Sequence, residues 1–219
     1  MKPQILLLAL TLVCTSAWAD DDDVSKVNGR ISADAGKIYG SLETVNGSIE
    51  IGAGAQTKNV ETVNGGIRIG DNARTGGVET VNGAITLGQK VTVSGGLETV
   101  NGSVLTERGS QVSGGVETVN GSIGLVGTEL GKSIETVNGD ITVGVGSHVR
   151  GGIKVTKPSF GFSFQTARTP RVVIGPNAVV DGPLHFEREV TLYVHRSAKI
   201  GAVSGATARS FDGEVAPKD

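Results

Sequence analysis

The pentapeptide Glu-Thr-Val-Asn-Gly occurs six times, starting at Glu43, Glu61, Glu79, Glu98, Glu117 and Glu135. A worn copy, Val27-Asn28-Gly29, precedes them. Counted on its asparagine, the motif falls at Asn28, Asn46, Asn64, Asn82, Asn101, Asn120 and Asn138, in steps of 18 or 19 residues. A unit this short cannot enclose a core alone. It buries its apolar side only by stacking on its neighbours. The repeat therefore predicts stacked coils.

One coil shows how. In Thr62 to Glu79, Ile67 and Ile69 are two apart and share one face of a short strand, with Arg68 on the other. Gly70-Asp71-Asn72 is turn chemistry, Ala73 and Thr75 form a second alternating pair, and Gly76-Gly77 turns the chain again. Val78-Glu79-Thr80-Val81 is a third strand, closed by Asn82-Gly83. Three strands and three corners define a triangular, single-stranded parallel β-helix of the all-β class, with a right-handed coil favoured over a left-handed one. The same template places Ile85, Leu87, Val91, Val93 and Leu97 inward, and so on through Ile153. The 19-residue coils carry their extra residue at the glycine corner between the second and third strands.

Stacking explains why the letters recur. Like residues lie about 4.8 Å apart along the axis. The seven asparagines are expected to form a hydrogen-bonded ladder. The glycine after each is read as a position of positive φ. The glutamates would form a column whose neighbours repel by roughly 0.9 kcal/mol in water, so they must face solvent or meet a cation. A weak cation-binding face is the sharper reading of that column.

The coil outlasts its motif. Val172, Ile174, Ala178, Val180 and Leu184 repeat the template, and Leu192, Val194, Ala198, Ile200 and Val203 repeat it again. Ahead of both, after the last motif-bearing coil, lies an insertion at 157–170, bracketed by Pro158 and Pro170, with Phe160, Phe162 and Phe164. It reads either as a cover over apolar surface or as a tongue touching a partner or membrane, with Phe160, Phe162, Phe164 and Arg168 as the candidate contacts.

Residues 1–19 read as a secretion signal: Lys2, an apolar stretch from Ile5 to Val13, and Ala17-Trp18-Ala19 before the cleavage point. Its removal would take the only Cys and the only Trp. It would also leave 19 basic against 22 acidic residues, since Lys2 is the one charge lost. That balance gives no reason to expect nucleic acid. The expected organisation is a signal at 1–19, an acidic disordered segment at 20–26, the solenoid at 27–209 and a disordered tail at 210–219.

Glycine is 34 of 219 residues, about twice the usual share of ~7%, as many tight corners require. His148, His185 and His195 share no motif. No nucleophile elbow or phosphate loop is present, so no catalytic, cofactor or metal residue is assigned and no cofactor is expected.

Two segments, Ile69-Gly70-Asp71-Asn72-Ala73 and Val173-Ile174-Gly175-Pro176-Asn177-Ala178-Val179-Val180-Asp181-Gly182, resemble those of the bactofilins, polymer-forming bacterial scaffold proteins. The likeness covers most of residues 44 to 205. It implies a right-handed triangular β-helix and head-to-tail filaments formed without nucleotide. The export signal, the insertion and the glutamate column depart from that family. The repeats also resemble adhesin-type solenoids of bacterial envelopes. A rival is the left-handed hexapeptide acyltransferase, since Ile51, Thr57, Val63 and Ile69 are six apart, although Thr57, Thr75 and the 19-residue steps break its rule. The resulting expectation is a non-enzymatic exported structural protein of the periplasm or cell surface. Its partners would be further copies of itself or envelope polysaccharide, with membrane contact through the insertion.

Overall fold

The computed structural model describes residues 23–158 and 168–217. The expected signal and Phe160, Phe162 and Phe164 lie outside these residues. The described chain is a parallel β-solenoid with three sheets. The first sheet has ten strands, from Val24–Asn28 to Val203–Ser204; the second has seven, from Arg74–Thr75 to Lys199–Ile200; the third has ten, from Ile31–Ala33 to Ala208–Phe211. Each coil visits the third, second and first sheets in that order, as Ile67–Ile69, Arg74–Thr75 and Val78–Asn82 show.

Pairing is in register, letter on letter. Val60 lies beside Val78, Glu61 beside Glu79, Thr62 beside Thr80 and Asn64 beside Asn82. The register survives the longer coils, because Glu79 still meets Glu98 and Glu98 meets Glu117. The extra residue sits at the glycine corner, as expected: Thr75 to Val78 is three steps, Val93 to Leu97 is four.

The core is a narrow shaft of Ile, Leu, Val and Ala, almost all fully buried. Burying one such side chain is worth about 1.5–3 kcal/mol, so the shaft is the main stabilising element. In the motif itself the residue before Glu and the Thr point inward, while Glu and Val point outward. Val63 is therefore an outward residue, and the six-residue series Ile51, Thr57, Val63, Ile69 is not the inward set. The Thr file is buried as well. Thr62 donates to the Gly47 carbonyl at 2.9 Å and Thr80 to that of Gly65 at 2.9 Å. From Thr44 to Thr118 a hydroxyl thus enters an apolar shaft without losing its hydrogen bond, whereas that of Thr136 has no partner among the described residues.

The glycine of the motif has a different reason from the one expected. Among its copies only Gly29 has positive φ, at 106°. A Cβ on Gly65 would instead stand 2.0 Å from the Gly47 carbonyl oxygen, and one on Gly83 2.0 Å from that of Gly65. Close backbone stacking at this corner excludes any side chain. Most positive φ falls at the corner between the third and second sheets, at Gly36, Gly54, Asn72, Lys90, Gly109, Gly127, Gly146 and Asn177, while Gly205, after the strand Val203–Ser204, shares it at the other corner with Gly29.

Both ends differ from expectation. Residues 24–26, read as part of a disordered segment, belong to the strand Val24–Asn28, which pairs with Leu42–Asn46. Lys26 occupies the inward Thr position of that first rung and donates from Nζ to the Arg30 carbonyl at 2.8 Å. Tyr39, which follows Ile38 in the file of Gln56 and Arg74, packs against the core. Its hydroxyl accepts from the Asp34 amide at 2.9 Å. A cation and a phenol so placed blunt the N-terminal edge. At the other end, Ala198, Ile200, Val203 and Ala206 are only partly buried. The tail from 210, expected to be disordered, has a defined place as far as Pro217. Phe211 and Ala216 join Val173 and Tyr193 in a small cluster outside the third sheet. Arg171 Nη2 donates to the Pro217 carbonyl at 2.6 Å.

Candidate functional surface

The outward face of the first sheet carries three parallel files. Asn forms the first. Nδ2 of Asn46 donates to Oδ1 of Asn28, and the pattern repeats through Asn64, Asn82, Asn101, Asn120 and Asn138, every contact at 2.9–3.0 Å. All seven predicted ladder residues are joined. The ladder has a direction, since each side chain gives its N–H towards the N-terminal end.

It ends where the insertion begins. Thr136 pairs with Val155, and Val155 with Phe186, so the Asn file continues through Lys157 and Arg188. Arg188 closes the ladder: Nη1 donates to Oδ1 of Asn138 at 2.5 Å and to the Val137 carbonyl at 3.0 Å. Nη2 reaches the Arg168 carbonyl at 3.3 Å. No repeat announces Arg188. The only cue in the sequence is a basic residue at the marker's place once the marker has gone.

The glutamates form the second file. Glu43, Glu61, Glu79, Glu98, Glu117 and Glu135 lie side by side in successive strands, each half-buried or exposed. Burial against the neighbouring Val file raises the carboxyls of Glu61, Glu79, Glu98 and Glu117 above the ordinary glutamate range. The adjacent carboxylates raise them further. The column is bounded by Ser25 below and Lys154 above. Lys154 leans to Glu187 at 3.6 Å.

The mouth of the insertion is held by carboxylates. The Lys157 amide donates to Glu187 Oε2 at 3.3 Å. On the return, Asp140 accepts from Arg168 Nη2 and from the Arg171 amide, each at 2.8 Å. Arg168, predicted as a partner contact, is thereby placed as an anchor of the loop, its guanidinium still largely exposed.

The histidines do not converge. His148 lies between Glu129 at 3.3 Å and Asp181 at 2.7 Å on the second sheet. His185 faces Ser204 on the first, and His195 packs edge-on against Phe211 on the third, with centroids 5.1 Å apart. His185 and His195, ten residues apart, occupy different sheets. Among the described residues no group of three His, Cys, Asp or Glu is arranged to hold a metal ion, and no helix is long and apolar enough to cross a membrane.

The fold places the chain in the class of parallel β-solenoids. Comparison with protein-family models, curated proteins and solved structures returned no match.

Proposed function

We propose that this chain is a non-enzymatic structural protein of the cell envelope, a rigid rod that associates with copies of itself or binds envelope polymers. The observation that supports this reading is how the motif is used. Asn, Thr and Gly hold coil to coil. Glu and Val, which make none of these ladder bonds, face outward beside the Asn ladder as unbroken files at strand spacing. A surface repeated at a fixed interval suits a repeating partner better than a single small substrate.

The likeness of residues 171–205 to bactofilin segments supports the self-associating half of the proposal. So do the half-buried Ile200, Val203 and Ala206 of the last rung. Export rests on the leader-like residues 1–19.

Negative-stain microscopy of the chain lacking residues 1–19 tests the reading. Filaments or ordered arrays are expected. Discrete trimers would point to the acyltransferase-like alternative. Uniform monomers that bind glycan would point to an adhesin. Monomers with no affinity for themselves or for envelope polysaccharide would overturn the proposal.

A further inference from the structure

Each motif ends in Asn-Gly, the pair in which a backbone amide most readily attacks the preceding side-chain carbonyl, because glycine offers no Cβ to hinder it. The Gly nitrogen bonds to Asn Cγ, the Cγ–Nδ2 bond breaks and ammonia leaves. Water then opens the succinimide to aspartate or isoaspartate. Asn is thermolabile for this reason.

The ladder does not expose its members equally. The amides of Gly47, Gly65 and Gly102 donate to the carbonyls of Asn64, Asn82 and Asn120 in the next coil, at 3.0–3.1 Å. That engages the would-be nucleophiles. The side-chain oxygens of Asn46, Asn64, Asn82, Asn101 and Asn120 accept only from a neutral amide. Asn138 differs on the second count. The Gly139 amide makes no such bond among the described residues, and neither do those of Gly83 and Gly121, so Asn82 and Asn120 are the rungs that match it in all but the cation. Asn138 Oδ1 accepts from the Arg188 guanidinium at 2.5 Å.

A cation on that oxygen draws charge from Cγ and stabilises the oxyanion formed by attack. It also meets the product. A carboxylate at any of these rungs would face the amide oxygen of the asparagine below it, but only one at 138 would also face a guanidinium.

We infer that Asn138-Gly139 is a self-modification site, where succinimide formation promoted by Arg188 converts the asparagine to aspartate or isoaspartate ahead of the ladder's interior. A hydrogen bond that gains charge assistance in the transition state is worth about a factor of ten in rate.

The test is peptide mapping of the full chain aged in mildly alkaline buffer. Asn82, Asn120 and Asn138 fall in separate tryptic peptides, so each position is scored by its own mass gain and the two products are resolved by chromatography. Asn138 is expected to convert first, about tenfold ahead of the other two. Arg188→Gln should bring its rate down to theirs, and Arg188→Lys, which keeps the cation, should preserve its lead. Equal rates at all three positions would overturn the inference. So would an unchanged or raised lead for Asn138 in Arg188→Gln, or a lead lost in Arg188→Lys. Self-association plays no part in the measurement, so the result stands apart from the proposed function.

Discussion

Arg188 donates to the side-chain oxygen of Asn138 across fifty residues of chain, and with that bond the asparagine ladder stops. Below it, every asparagine oxygen from Asn28 to Asn120 receives an N–H from the asparagine one coil further on. The series needs an acceptor and a donor at every rung, so a substitution that removes one function acts differently from one that shortens the side chain.

Asn82 shows the difference. Its Nδ2 donates to Asn64 and its Oδ1 accepts from Asn101. Asn82→Ser loses one or two net hydrogen bonds and should cost about 1–2 kcal/mol. Asn82→Asp turns a donor into an anion facing the Asn64 oxygen and should cost more. Thermal melts of the two variants check the order; a serine variant less stable than the aspartate one would contradict it.

The glutamate column predicts a stability that improves on acidification. Burial and like charge hold the carboxyls of Glu61, Glu79, Glu98 and Glu117 above their ordinary value. The folded chain therefore binds more protons than the unfolded one in the window just above that value. This contribution to stability falls as pH rises through the window and is recovered as pH drops below it. Lowering pH from neutrality towards about 5 should raise Tm, and added salt at neutral pH should do the same. Glu79→Gln with Glu98→Gln should raise Tm at neutral pH and flatten the profile. An unaltered slope would show that the column does not set it.

Lys90 holds a left-handed backbone, φ 55°, in a file otherwise made of Gly and Asn. Such a conformation costs a residue with a Cβ about 1 kcal/mol. Lys90→Gly should therefore stabilise the chain by up to about 1 kcal/mol, less the added freedom of the unfolded glycine. Urea denaturation reads the sign.

Two adjacent glycines should behave oppositely. A Cβ at Gly65 meets the Gly47 carbonyl oxygen at 2.0 Å, whereas one at Gly66 meets nothing nearer than 3.2 Å. Gly65→Ala must push two coils apart and should cost about 3 kcal/mol or more. Gly66→Ala occupies a place where Ala84 already stands one coil on and should be nearly neutral. Circular dichroism and limited proteolysis of the two variants separate the outcomes.

What the sequence made legible was whatever it repeats. Ile67, Ile69, Val78 and the seven asparagines announce their positions because every coil restates them, and the shaft and ladder follow from the period alone. The motif's glycine was placed correctly but for the wrong reason, since letter order does not reveal how near a carbonyl one strand above will come. Single residues left no periodic trace: Tyr39 across the first rung, Arg188 on the ladder, Asp140 at the mouth of the insertion. Their roles depend on contacts between positions 28 to 50 residues apart, or on which side of a coil the chain end falls. The tail was misjudged for a related reason. Its composition reads as loose, but Phe211 and Ala216 find Tyr193 and Val173 on a face that only folding creates.

The evenness of the register carries an evolutionary corollary. Because Glu79, Glu98 and Glu117 stay aligned whether a turn has 18 residues or 19, a tandem duplication of one turn anywhere between Tyr39 and Asn138 finds a ready berth above and below. The gene can lengthen its product in steps of about 4.8 Å without inventing a single new contact.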